Sequence, residues 1–443
     1  MIVYEAVSLS TGGDSNERVS DTEAVGDSGS DTSAVRASEA LDWEALTAYL
    51  RDALPREASF ERRYGRPFPV DAPVVTQFPG GHSNLTYLLR FGDVELVVRR
   101  PPLGPVPARA HDMAREFRWL AALHPLFPLA PLPLLLCEDT SVVGSTFYVM
   151  ERRHGLVIRH DEPPTVAGRP EVRRAIGNGL VDALAALHRV DVGSGSRTQP
   201  EKGPRSKTSR PGEGPRSKPS RPGEGPRSEP SRPGEGPRSE EAPRSELSAL
   251  GKPDGFVERQ VRGWTARWEG ARTTHIPEME ALATWLLANL PPAPSRPSVV
   301  HGDFKLDNVM LDMADPTRLV AVLDWEMCAL GDPLVDLGIF LGYWVHSAGT
   351  GGRDALSIVT DRPGWPSRQA IIERYAEQSG VDLPDLRFYE TFAVFKLAVV
   401  IQQIYVRYVR GQTDDLRFAG LGDRVTRLAI RAAERAEGDK GRD

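Results

Sequence analysis

Residues 301–308 read His301-Gly302-Asp303-Phe304-Lys305-Leu306-Asp307-Asn308, and Asp324-Trp325-Glu326 follows. Two short apolar runs lie between these motifs, Val309-Met310-Leu311-Asp312 and Leu319-Val320-Ala321-Val322-Leu323. The stretch joining the runs, Met313-Ala314-Asp315-Pro316-Thr317-Arg318, has turn chemistry. A hairpin there returns Asp324 to the side of Asn308. The fold must therefore place a polar loop, a tight hairpin and a second polar loop in mutual contact. One amide oxygen and one carboxylate then converge, with Glu326 able to add another. That donor set suits a hard divalent ion sharing its coordination with phosphates and water.

Phosphoryl transfer asks little covalent chemistry of a protein, but it needs a carboxylate to orient the attacking hydroxyl and ligands to hold the metal. In the kinase pattern H-R-D-x-x-x-x-N the Asp and Asn stand five residues apart, the spacing of Asp303 and Asn308. Asp303 is the candidate catalytic carboxylate. Lys305, two residues on, is the candidate cation for the transferring phosphoryl group. Asn308, Asp324 and Glu326 are the candidate Mg2+ ligands. His301 reads as an organiser of the loop, and Asp332 as its brace beside Asp336.

These residues resemble the aminoglycoside phosphotransferase family, itself similar to protein kinases and choline kinases. H-G-D-x-x-x-x-N, then a hydrophobic strand ending in D-W-E, is that family's signature. Gly80-Gly81-His82-Ser83-Asn84-Leu85-Thr86-Tyr87, Leu96-Val97-Val98-Arg99-Arg100-Pro101-Pro102 and Gly331-Asp332-Pro333-Leu334-Val335-Asp336-Leu337-Gly338 resemble the branch fused to acyl-CoA dehydrogenases in animals. The resemblance covers about residues 43–190 and 250–432. It implies a bilobal α+β protein-kinase-like fold, with a small antiparallel-sheet N-lobe and a mostly helical C-lobe. It also implies ATP as substrate and Mg2+ as cofactor. Gly80, Gly81, Ser83 and Asn84 would approach the phosphates. Arg99 would grip them from the third strand, where lysine is usual, paired with Glu116. The hinge at Met150, Glu151 and Arg152 would take the adenine edge through its backbone.

The organisation expected along the chain follows. Residues 1–40 are an acidic tail too poor in large apolar residues to fold. Residues 41–150 form the N-lobe, with strands over Val74–Phe78, Thr86–Phe91, Val94–Arg99 and Phe147–Glu151. A helix is expected over Ala110–Leu123. Residues 151–193 are the hinge and the start of the C-lobe. Residues 194–248 are an insertion in which an eleven-residue Pro/Gly/Arg/Ser unit recurs, at Gly203–Glu213, Gly214–Glu224, Gly225–Glu235 and, decayed, Gly236–Glu246. No repeat has an apolar face, so a solenoid is excluded and disorder is expected. Residues 249–432 complete the C-lobe, and 433–443 are a tail.

A net charge of −6 argues against a nucleic-acid binder. Cys137 and Cys328 are the two cysteines, which excludes a disulfide framework and suggests a reducing, cytoplasmic setting. No run of eighteen apolar residues is present, so no membrane span is expected. The partner expected is a small-molecule hydroxyl acceptor, with Tyr343, Trp344, Lys396, Gln403, Tyr405 and Arg407 as candidate lining.

The bases Lys396, Arg407 and Arg410 favour a hydroxyacyl or hydroxyacyl-CoA acceptor over a polycationic aminoglycoside. An aminoglycoside-type antibiotic kinase stays open. So does a nucleotide-binding pseudokinase that acts through partners, supported by Arg99 in place of lysine. The short stretch from Asp324 to Asp332 leaves no room for the activation segment of a protein-substrate kinase.

Overall fold

The computed structural model describes residues 31–65, 67–79, 84–103, 112–159, 161–193, 241–344, 359–413 and 415–438. Two helices open the N-lobe, α1 (Trp43–Ala53) and α2 (Ala58–Tyr64). Asp42 caps α1 by accepting from the Ala45 amide at 2.9 Å. The strands β1 (Val74–Gln77), β2 (Leu85–Phe91) and β3 (Val94–Arg100) follow. A two-residue turn joins β2 to β3, with Gly92 at a φ of 60°, a value that favours glycine. Next come α3 (Met113–Leu123), β4 (Pro133–Cys137) and β5 (Phe147–Glu151). The antiparallel sheet has the order β1-β2-β3-β5-β4. Leu46, Leu50 and Phe60 of the first two helices, with Leu54 between them, pack on one sheet face, against Tyr87, Leu89, Leu96, Val98 and Phe147. Each such side chain contributes about 1.5–3 kcal/mol by burial. Helix α3 contacts β4 and β5.

Disorder was expected over residues 1–40, and the structure differs at the end of that stretch. Ser33 exchanges backbone hydrogen bonds of 2.8 Å with Gln77, extending the sheet past β1. The Glu39 carbonyl accepts from the Tyr87 hydroxyl at 2.6 Å. These residues gain an edge strand and a buried tyrosine as partners, which composition alone does not reveal.

The C-lobe contains α4 (Pro170–His188), α5 (Glu241–Leu250), α6 (Phe256–Ala271) and α7 (Pro277–Ala288). It continues with the strands β6 (Ser298–Val300), β7 (Val309–Leu311), β8 (Leu319–Val322) and β9 (Ala329–Gly331). Four helices end it, α8 (Leu334–Tyr343), α9 (Arg368–Ser379), α10 (Arg387–Val409) and α11 (Leu421–Glu437). Helix α5 occupies the end of the expected 194–248 insertion, and α11 runs past residue 432. The repeats through residue 240 lie outside the described residues. By length and composition alone, helix α10 is apolar enough to cross a membrane. Here it is a core helix packed on α6, α8 and α11. Gly338 lets α8 approach it, because a Cβ there would stand 2.6 Å from the Tyr389 carbonyl oxygen.

Candidate active site

The pairing of β6 with β9 brings the start of the His301 loop beside the end of the Asp324 loop. The predicted β7–β8 hairpin forms, with Val309 opposite Val322. The Leu323 amide donates to the Asn308 carbonyl at 2.8 Å, which fixes Asp324 next to Asn308.

Asp336 braces the catalytic loop. Its Oδ2 accepts from the His301 amide at 2.6 Å and its Oδ1 from the Gly302 amide at 2.7 Å. This corrects the expectation for Asp332. That side chain turns back to cap α8, accepting from the Leu334 amide at 3.0 Å and from the Tyr389 hydroxyl at 2.7 Å. Asp336 lies one turn further along α8, on the face toward β6. His188 stands 3.3 Å from Asp336 and 2.7 Å from the Tyr375 hydroxyl, a packing role. His301 is fully buried. Its Nδ1 accepts from the Asp303 amide at 3.2 Å and its Nε2 lies 2.9 Å from the Leu323 carbonyl. Those bonds select the tautomer protonated at Nε2 and tie the two loops together, an organiser's geometry.

Asp303 is buried. Lys305 Nζ lies 3.0 Å from its Oδ2, and Asn308 Nδ2 donates to the same oxygen at 3.1 Å. Lys396, from α10, donates to the Gly302 carbonyl and stands 3.9 Å from Oδ1. Among the described residues, Lys305 and Asn308 thus hold Oδ2, and Oδ1 faces the more distant Lys396. Burial would raise this carboxyl, but Lys305 and then Lys396 hold it below its ordinary value, so it is ionised near neutrality. The turn requires glycine at 302, where φ is +83° and a Cβ would meet Met327 at 2.8 Å.

Asp324 is the non-glycine residue with positive φ, 65°, among the described residues. Such strain concentrates at sites where the surroundings over-determine the backbone. Arg99 reaches it from β3, Nη2 to Oδ1 at 3.0 Å, and also lies 3.5 Å from Glu116 and 3.7 Å from Glu326. The Arg99–Glu116 pair is therefore buried within the N-lobe, unlike a surface ion pair, and Arg99 bridges the lobes through Asp324. Burial opposes ionisation of Asp324, yet the cations around it, Arg99 among them, hold its carboxyl far below the usual range. Burial pushes Glu116 up to about 7, with Arg99 opposing and the Asp324 and Glu326 charges adding. Asn84 Nδ2 donates to Glu326 at 3.1 Å.

A cavity of about 380 Å³ lies between the lobes. Val97, Leu120, Met150, Leu156, Met310 and Leu323 give it an apolar end, and Asn84, Arg99, Asn308 and Asp324 a polar one. Met150, Glu151 and Arg152 line it. The Glu151 side chain is structural, accepting from the Leu132 amide at 2.9 Å and from Arg63 at 3.0 Å. Arg152 pairs with Asp31, a lining residue that sequence patterning does not single out. Gly80, Gly81 and Ser83 lie outside the described residues.

Asn308 Oδ1 is buried without a hydrogen-bond partner. An unpaired buried acceptor is costly, and this one fits a metal ligand. Among the described residues no group of three or more His, Cys, Asp or Glu side chains could cage an ion. The residues present therefore fit an ion that takes most of its ligands from phosphates and water.

Of the candidate acceptor residues, Lys396 and Tyr343 reach Asp303 and its neighbours. The Tyr343 ring centroid lies 4.8 Å from Lys305 Nζ. The Trp344 indole donates to the Pro366 carbonyl at 2.9 Å, Tyr405 packs against Gly422, and Arg407 is exposed. Gln403 is half-buried on α10, and no contact ties it to Asp303.

A two-lobed fold with these facing loops defines a kinase-like phosphotransferase. The chain belongs to the phosphotransferase enzyme family (APH), whose profile matches residues 74–371. It is 32% identical over 387 residues to acyl-CoA dehydrogenase family member 11 of Mus musculus, covering 86% of this chain and 42% of that protein. The human member 11 is 29% identical, over 92% of this chain and 45% of its own length. The chain thus spans less than half the length of these relatives. A Ralstonia eutropha crystal structure described as an aminoglycoside phosphotransferase superposes with a TM-score of 0.65 and 27% identity, covering 90% of this chain and 99% of that one.

Proposed function

We propose that the chain is an ATP- and Mg2+-dependent kinase of a small-molecule hydroxyl, and that the acceptor is an anionic hydroxyacyl compound such as a hydroxyacyl-CoA. The observation that carries the reading is the division of labour on Asp303. Lys305 and Asn308 hold Oδ2, and Oδ1 remains to orient the hydroxyl and receive its proton. The acceptor oxygen bonds to the γ-phosphorus, the bond from that phosphorus to the β,γ-bridging oxygen breaks, and ADP leaves. Asn308 and Asp324 would hold the Mg2+, with Glu326 beside them, and the ion would supply charge neutralisation at the phosphates. Arg99 grips the phosphates from the N-lobe, positioned by Glu116. Lys305 offsets charge on the transferring group.

Charge supports the acceptor class. Lys305 and Lys396 flank Asp303, and Lys396 also stands 5.4 Å from the Trp264 ring, which Arg267 covers at 4.6 Å. A polycation would meet like charges here, and an acyl anion would meet complementary ones. The relatives' naming for acyl-CoA chemistry points the same way.

ADP release with Mg2+ and ATP tests the reading on a panel of hydroxyacyl-CoAs, free hydroxy acids and aminoglycosides. Turnover on hydroxyacyl members is expected. Turnover confined to aminoglycosides would overturn the acceptor class. Tight nucleotide binding without turnover on any member would favour the pseudokinase.

A further inference from the structure

We infer that Arg115 is a positioning residue for the metal loop, holding it from the N-lobe through two main-chain carbonyls. The inference rests on the phosphotransferase reading of the site. From α3, Arg115 Nη1 donates to the Glu326 carbonyl at 3.0 Å, and Nη2 donates to the Cys328 carbonyl. The two acceptors are two residues apart in one short loop, so a planar guanidinium fork can hold both where an ammonium would hold one.

The loop needs such a restraint. Its ends are fixed by β8 and β9, and Trp325 ties back to the Val322 carbonyl at 2.8 Å. Between those ties Asp324 adopts a left-handed backbone with φ of 65°, which is unfavourable for a residue with a Cβ. The side chain next to Arg115 serves the same loop from the other side, since Glu116 lies 3.5 Å from Arg99 and Arg99 lies 3.0 Å from Asp324. Two adjacent residues of α3 thus set where the Asp324 and Glu326 carboxylates stand. The position of α3 and the geometry of the metal site are then one coupled quantity. Arg118, one turn further along, pairs with exposed Glu138 at 3.6 Å among the described residues, and serves as the internal control.

The test uses the full chain with Mn2+ as the probe ion, read by its free-ion paramagnetic resonance signal in the presence of ATP. ATP affinity without metal and the unfolding midpoint are measured on the same preparations. Arg115→Met is expected to weaken Mn2+ binding about ten-fold or more while metal-free ATP affinity changes less than about two-fold. Arg115→Lys should fall between Arg115→Met and wild type, and Arg118→Met should match wild type. Wild-type Mn2+ affinity in Arg115→Met overturns the inference alone. So does an equal loss of metal-free ATP affinity, which would mark a general structural role. A wild-type chain that binds no Mn2+ with ATP overturns this inference and the reading of the site together.

Discussion

Arg99 stands where kinase-like lobes usually carry lysine, and its fork explains how one side chain reaches both Glu116 and Asp324. Arg99→Met should cost about 3–5 kcal/mol in denaturant unfolding, because it strands two buried carboxylates, and should abolish nucleotide binding. Arg99→Lys should retain the fold and bind more weakly. Glu116 titrates against this pair. Its folded value, about 7, lies above its ordinary 4.5, so its contribution to stability is complete below pH 4.5 and is lost as pH rises through 7. Relative to Glu116→Gln, nucleotide-free wild type should lose up to about 3 kcal/mol between pH 4.5 and 8. A difference in unfolding free energy that is flat with pH would contradict this. At this scale the Asp303–Asn308 spacing was legible in the sequence because phosphoryl transfer demands it. Asp336 and Arg115 were not. The brace and the latch are satisfied by backbone partners distant in sequence, and such partners leave no pattern beside the residue.

At the scale of elements, the β7–β8 hairpin was readable because two apolar runs flank turn residues. No strand pattern marks Pro133–Cys137. Its residues are almost all apolar and follow a proline-rich run, so period-two alternation is lost. The first strands alternate more clearly, and Gly92 marks their turn. Trp325 ties the metal loop to the core. It is buried, its ring centroid lies 4.7 Å from that of His301 and 6.1 Å from that of Phe127, and its indole donates within the loop. Trp325→Ala should cost about 3–5 kcal/mol by calorimetry or denaturant titration. It should weaken metal binding more than Phe340→Leu does in the C-lobe core. Gly338→Ala should separate α8 from α10 and lower the unfolding midpoint.

For the whole molecule, the two-lobed plan was legible through the resemblance that the His301–Asn308 and Asp324–Glu326 motifs carry, while composition showed only that enough chain to fold remains once the repeats are set aside. The repeats connect α4 to α5 without apolar residues to bury. Excising residues 203–235 shortens that connection roughly three-fold, which by loop closure gains about 1 kcal/mol at most. Turnover should stay within about two-fold of wild type. The attachment of residues 33–39 to the sheet was hidden, because a polar segment paired through its backbone resembles a tail in composition.

The central claim is that Asp303 acts on the acceptor after nucleotide and metal are in place. The most direct test compares Asp303→Asn with wild type, measuring MgATP affinity and acceptor turnover in one preparation. MgATP affinity within about three-fold of wild type and turnover reduced at least about a hundred-fold are predicted. Turnover retained at the wild-type rate would contradict the account.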